Sequence, residues 1–321
     1  MTTKLRRVEE LIEDFRKRRP IRGGSLIITL YGDAIVPRGG AVWLGSLIAA
    51  LEPLGLNQRL VRTSVYRLFK EGWLSSRQVG RRSFYSVTGS GLRRFSTAFR
   101  RIYAEHHVKW DGIWRVVVTS QVNGAGRDNL RRELGWLGFG TIAPGIMAHP
   151  MAEVDLLTGT LQDMGLQDEI IMMSATSENP ADSQPLRNLV QTCWNLDRLS
   201  GDYHRFLARF RPIWAALESA DSLDPELCFQ TRILLIHEYR RLLLRDPQLP
   251  KELLPPDWVG ASARLLCRNL YRCLLGPSER YLSRTLITAD GPLPEAAPSF
   301  YERFGGLVDT LHRVPSNQSA Q

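Results

Sequence analysis

Arg59, Arg62, Thr63, Tyr66, Arg67 and Lys70 recur at i, i+3, i+4, i+7, i+8 and i+11. On an α-helix that spacing lines them up as one basic stripe. A guanidinium fork matches guanine O6 and N7, or a pair of phosphate oxygens, and hydroxyls add further hydrogen bonds. The chemistry such a stripe can do is recognition of a nucleic acid. Arg59 and Arg62, near the start of the helix, are placed to read base edges, whereas Lys70, Arg77, Arg81 and Arg82 suit phosphate. A second cluster combines His237, Glu238, Arg240, Arg241, Arg245 and Asp246, with Arg264 and Arg268 one turn apart further on. It reads either as an ion-pair network bracing a proline-rich bend or as a site for the phosphates of a ligand.

Signals for catalysis are thin. His106-His107, His149, His204, His237 and His312 are dispersed, there is no nucleophile elbow, and Gly124-x-Gly126 is too short to cradle phosphate. Cys193, Cys228, Cys267 and Cys273 form no CxxC pair and have no His at ligand spacing, so buried, reduced thiols are expected. We expect no enzyme, no catalytic or metal site and no cofactor.

Charge locates the recognition surface. Residues 1–103 hold 20 Lys or Arg against 7 Asp or Glu, and residues 104–321 hold 22 against 26, so +13 is followed by −4 within a total of +9. Clustered cations are the main sequence-independent source of nucleic-acid affinity. The 321 residues, 43% of them apolar, predict about two to three domains. No run reaches the ~20 apolar residues of a membrane span and no secretory signal opens the chain, so a cytoplasmic protein without a membrane partner is expected.

The elements that must position the stripe can be read from periodicity. Leu5, Val8, Leu11, Ile12 and Phe15 predict a helix over 4–18, closed by Pro20. Leu26, Ile27, Leu30, Tyr31, Ala34 and Ile35 predict a second, and Trp43, Leu44, Leu47, Ile48 and Leu51 a third. Asn57 is the expected N-cap of the basic helix, with Val61, Val65, Leu68 and Phe69 facing inward and Gly72 stopping it. Residues 73–78 and 83–88 predict two strands, with Arg81 and Arg82 at or near the hairpin tip. Three helices and a basic hairpin spell a winged helix-turn-helix. Thr88 caps a connecting helix over 88–104, and the order after it is βαββαβ over 113–175, the ferredoxin-like pattern. Beyond a polar stretch at 179–184 the reading is all helical, with one helix over 225–245 and a last one over 259–275. Residues after Arg313 are expected to be disordered. The expected class is α+β, with domains at 1–104, 105–180 and 181–321.

Four segments carry a resemblance to a known family: Ser25–Ala34 (SLIITLYGDA), Gly80–Gly91 (GRRSFYSVTGSG), Gly138-Phe139-Gly140 with Pro144-Gly145, and His237–Trp258 (HEYRRLLLRDPQLPKELLPPDW). The chain resembles the PaaX-type regulators of phenylacetic acid catabolism over nearly its whole length. That resemblance implies a transcriptional repressor with a winged helix, a Cas2-like middle domain and a helical C-terminal domain. It also implies release from operator DNA by an aryl-CoA thioester, phenylacetyl-CoA. Under it, His237, Arg240, Arg241, Arg245, Arg264 and Arg268 are candidates for holding the CoA.

A single recognition helix buries too little surface for operator specificity, so a homodimer is expected, with the helical C-terminal domain as its contact. Two rival readings are a Cas2-like RNA- or DNA-processing protein and an acyl-CoA-binding enzyme with an accessory DNA domain. Metal-dependent cleavage would need an Asp near the end of the first ferredoxin-like strand, where Thr119-Ser120 stands and Asp111 comes too early.

Overall fold

The computed structural model describes residues 5–104, 109–119, 122, 124–181, 183–220 and 222–307. It opens with α1 (Arg6–Arg16), α2 (Gly23–Leu30), β1 (Ala41–Trp43), α3 (Leu44–Leu51), α4 (Gln58–Lys70), β2 (Leu74–Val79), β3 (Arg82–Val87) and α5 (Gly89–Tyr103). There follow β4 (Ile113–Val118), α6 (Gly124–Trp136), β5 (Gly140–Ala143), β6 (Ile146–His149), α7 (Val154–Asp163) and β7 (Ile171–Thr176). The rest is α8 (Gln184–Trp194), α9 (Leu196–Glu218), α10 (Pro225–Leu243), α11 (Gly260–Thr285), β8 (Ile287–Thr288), β9 (Gly291–Pro292) and α12 (Pro298–Tyr301). The class is α+β. Contacts divide the chain into two compact units, Met1–Glu105 with Phe206–Arg240 and Ser262–Gln321, and His106–Arg205 with Arg241–Ala261.

In the first unit, α2 runs on into a π-helical turn at Tyr31–Ile35. The apolar spacing foresaw both as one helix. Gly23 lets α2 approach α4, because a Cβ there would lie 2.7 Å from Ser64 Oγ. Leu26, Ile27, Leu30, Leu47, Leu51, Leu54 and Val61 are fully buried between α2, α3 and α4. Strand order is β1-β3-β2, all antiparallel. Sequence analysis missed β1 and read Trp43 as the first residue of a helix. Three residues show no period, and what makes them a strand is the open edge of β3, where Val42 pairs with Tyr85.

α10 is buried all round from Cys228 to Ile236, the mark of a central helix. α11 buries Ala263, Cys267, Leu270, Leu274, Leu275, Ser278 and Leu282. It was expected to stop at Leu275 before Gly276-Pro277, yet it continues to Thr285. Proline costs an interior helix about 3 kcal/mol, and the fully buried Ser278 and Leu282 beyond it outweigh that loss. The antiparallel pair β8 and β9 corrects the expectation of an all-helical segment after residue 181.

In the second unit the sheet order is β5-β6-β4-β7, the βαββαβ topology that the sequence pattern predicted. Val117 and Met147 face α6 and α7 with Leu130, Leu134, Leu157 and Leu161. Trp114 and Ala148, on the opposite face, pack against Leu186 and Val190 of α8 and against Leu249 and Leu253 of the proline-rich bend. That bend is fixed by Tyr203, which donates to Asp246, and by Trp258 edge-on to Tyr203 at 5.7 Å. His149 Nε2 lies 2.8 Å from Pro247 O, while its Nδ1 accepts from Met151 N, so the ring is the Nε2–H tautomer.

Candidate nucleic-acid interface

Asn57 has extended backbone and its Oδ1 accepts from Leu60 N at 2.9 Å, which starts α4 where the capping signal placed it. Val61, Ser64, Val65 and Leu68 are buried, and Arg59, Arg62, Thr63, Tyr66, Arg67 and Lys70 are all exposed. The stripe is therefore continuous on one face of one helix. Phe69 departs from the expectation that it faces inward, being 37% exposed. Lys70 lies 5.6 Å from the Tyr66 ring and Arg67 pairs loosely with Glu71 at 3.7 Å. Thr63 Oγ1 donates to Arg59 O and so is tied to its own helix. With its amide oxygen turned toward Arg62, Gln58 accepts from that guanidinium at 2.9 and 3.1 Å and steadies it.

β2 and β3 join through Gly80 and Arg81, with Val79 opposite Arg82. Gly80 has φ +58°, which its missing Cβ permits, and a two-residue hairpin with glycine first follows the strand twist. Arg77, Arg81 and Arg82 are all exposed, with Arg81 in the turn and, next to it as expected, Arg82. Its guanidinium sits 4.6 Å over the Trp43 ring, a platform supplied by the overlooked β1.

The first unit also holds a buried ionic cluster that sequence analysis did not find. Asp33, in the π turn, meets Arg232 of α10 at 2.8 Å and Arg303 at 3.1 Å, with all three side chains fully buried. Tyr103 and Tyr271 donate to Asp33 Oδ1 at 2.7 and 3.0 Å. Glu279 of α11 binds both Arg38 and Arg232. Burial pushes the Asp33 carboxyl up, but Arg232, Arg303 and the two tyrosine hydroxyls outweigh it and hold it below the usual carboxylate range. Burial drives Tyr103 upward, so its hydroxyl stays protonated and donates. The sole signal in the sequence was Asp33 inside an apolar run. Its arginine partners lie some 200 or more residues away and have no local signature.

The residues expected to hold a ligand through the second cluster have varied surroundings. His237 is buried with Nδ1 3.1 Å from Thr29 Oγ1, and Arg240 donates to Ser25 O and Oγ at 3.1 and 2.9 Å. Glu238 pairs with Arg18. Arg245 is 3.7 Å from Asp202, and Arg241 is exposed. Arg264 donates to Ala104 O and faces the Phe304 ring, while Arg268 buries an Nε with no hydrogen-bond partner among the described residues.

Asp111 Oδ1 accepts from Ile113 N at 2.9 Å, and Thr119 N donates to Gly145 O. Ser120, His106, His107 and His312 lie outside the described residues, as does the segment after Arg313. Among the described residues no three His, Cys, Asp or Glu side chains gather in a metal-binding group, and no helix is long and apolar enough to cross a membrane.

Three family profiles match the chain in turn: PaaX-like protein at residues 22–91, PaaX protein central Cas2-like domain at 107–186, and PaaX-like protein C-terminal domain at 194–284. The transcriptional repressor PaaX of Escherichia coli (strain K12) is 41% identical over 289 residues, covering 90% of this chain and 92% of the relative. Among solved structures, the uncharacterized protein Rv0674 from Mycobacterium tuberculosis is 24% identical, with a TM-score of 0.47, covering 74% of this chain and 89% of that one. On the profiles and the 41% relative, the chain belongs to the PaaX family.

Proposed function

We propose that this protein is a DNA-binding transcriptional repressor of phenylacetate (aromatic) catabolic genes, released from its operator by an aryl-CoA thioester such as phenylacetyl-CoA. The observation that carries the reading is the α4 stripe, six side chains exposed on one helix face beside the basic hairpin of β2 and β3. In this reading α2 to α4 with the hairpin act as a winged helix-turn-helix, α4 enters the major groove, and the hairpin holds backbone phosphate. Arg59 and Arg62 touch base edges first, because the N-terminal residues of a recognition helix reach deepest. Residues 1–104 form the reading domain, 105–180 the Cas2-like domain and 181–321 the helical C-terminal domain, and the protein works in the cytoplasm.

A second copy of the chain completes the operator reader. Besides the helical C-terminal domain expected as its contact, edge strand β7 supports this, since its Ile171, Met172 and Met173 are 54%, 44% and 48% exposed and its outer backbone groups face no further strand among the described residues. Two copies would read half-sites about 10 bp apart or a multiple of it.

The experiment is titration of a labelled promoter fragment from the protein's own locus between 50 and 200 mM salt. Six to ten phosphate contacts would reduce affinity by about 10³–10⁵ over that range. A flat response, or equal affinity for unrelated duplexes, refutes the reading.

A further inference from the structure

Beside α5, inside the first unit, lies a cavity of about 510 Å³. That volume falls within the ~300–1,000 Å³ of small-molecule sites. Its walls are Ile28 and Gly32 from the α2 end, Trp73 at the start of the hairpin, Phe95 and Phe99 of α5, and Phe300 of α12. Trp73 and Phe95 stand edge to face at 5.5 Å, and Phe99 tilts against Tyr103 at 5.0 Å. Such a wall favours a flat aromatic guest, which gains offset or edge-on ring contacts beyond its buried area.

The charge at the cavity selects the rest of the guest. Arg94, Arg100 and Arg240 contribute to its lining, the first two from the exposed side of α5. Asp33 also borders the space, but its carboxyl is committed to Arg232, Arg303 and two tyrosine hydroxyls. Arginines outnumber the single carboxylate of the lining three to one, so a cationic guest is disfavoured and an anionic tail is drawn to the mouth.

We infer that this cavity is the effector site, taking an aryl ring on a short acyl linker and leaving the anionic remainder of the ligand against the arginines of α5. The inference rests on the repressor reading and adds to it a location and a division of labour. The same walls position the reading face. α2 packs on α4 at Gly23, Trp73 opens β2, and α5 leaves the sheet through the Thr88 cap, whose Oγ1 also donates to Gly72 O. A guest that spreads α2 from α5 therefore shifts elements that hold α4.

Ile28→Trp and Ala98→Trp fill the space from two different walls. Calorimetric titration of the full-length protein with phenylacetyl-CoA, with CoA alone and phenylacetate alone as separate arms, is paired with operator binding and circular dichroism. The wild type should bind the thioester, each filled variant at least roughly tenfold more weakly, and the operator complex that each variant forms should resist release by the thioester. Equal thioester affinity in wild type and filled variants overturns the location and leaves the effector reading standing. No binding to the wild type overturns both, while operator binding alone decides the repressor reading. CoA binding as tightly as its thioester removes the aryl subsite. Should a tryptophan unfold either variant, Arg94→Ala serves instead, since it should weaken the thioester severalfold, and an unchanged thioester affinity overturns the cationic mouth.

Discussion

Replacing Asp33 by Asn keeps the shape of the side chain and removes one charge from a site no water reaches. Arg38, Arg232 and Arg303 now face Asp33 and Glu279, three cations against two anions. After the substitution the ratio is three to one, and the remaining carboxylate is the one whose side chain is 25% exposed. Breaking a buried pair in this way costs about 3–5 kcal/mol, because the uncompensated guanidinium charges stay in low dielectric. For a unit of this size each kcal/mol moves the melting temperature by about 2–4 °C, so Asp33→Asn should melt roughly 6–20 °C lower at pH 7. The folded carboxyl is held below its ordinary value, so its stabilising effect is complete above the unfolded pKa of about 3.9 and is lost as pH falls through the folded value. The gap between the two proteins should therefore be constant from pH 7 to about 5 and narrow only below about 4. Melting curves by circular dichroism across that range read both features. A variant within about 1 °C of wild type at pH 7, or a gap that opens on acidification, refutes this account of the cluster.

Four further outcomes are expected. Arg62→Ala should cost about 1–3 kcal/mol at the base pair it reads and relax preference there, seen as a flattened mutant-operator series. Arg81→Ala should weaken all duplexes alike and reduce the salt slope by about 1. Trp43→Ala removes the platform under Arg82 and should lower operator affinity by about 0.5–1 kcal/mol, an effect that vanishes in an Arg82→Ala background. Cys228, whose thiol burial pushes up to about 12, and the fully buried Cys267 should resist a thiol reagent at pH 8 until the protein is denatured, and rapid native labelling of both would contradict their burial.

What the sequence made legible were features whose cause is local. The α4 stripe, the Asn57 and Thr88 caps and the glycine hairpin each follow from a few neighbouring residues, and the structure places them within a residue or two of their expected bounds. The order of the βαββαβ segment was readable for the same reason, since its strands alternate and its helices do not. What escaped is set by partners distant in the chain. β1 exists because β3 offers an edge, α11 survives Pro277 because its far end is buried, and Asp33 is tolerated because Arg232 and Arg303 arrive from elsewhere. The second cluster shows the limit from the other side. Its sequence spacing suggested one site, whereas of its arginines Arg240 alone lines the aromatic cavity.

The energetics of release decide which part of an effector must be present. Moving a two-state regulator from almost fully bound to almost fully released needs about 10⁴-fold differential affinity, about 5.5 kcal/mol. Burying a phenyl-sized group yields about 1.5–3 kcal/mol even when one state offers no pocket at all. A charge-assisted hydrogen bond to an arginine adds about 1.5–3 kcal/mol. Neither contribution alone reaches the requirement, and a ring together with two such bonds, about 4.5–9 kcal/mol, spans it. Aryl acid and unacylated CoA, added separately at concentrations where the thioester releases the operator fully, should therefore leave most of the DNA bound, and their mixture should release more than either alone but less than the thioester, which joins the two parts in one ligand. Release by phenylacetate alone equal to that by phenylacetyl-CoA would mean that the CoA part adds nothing, and would refute the division of the effector between the cavity walls and the arginines of α5.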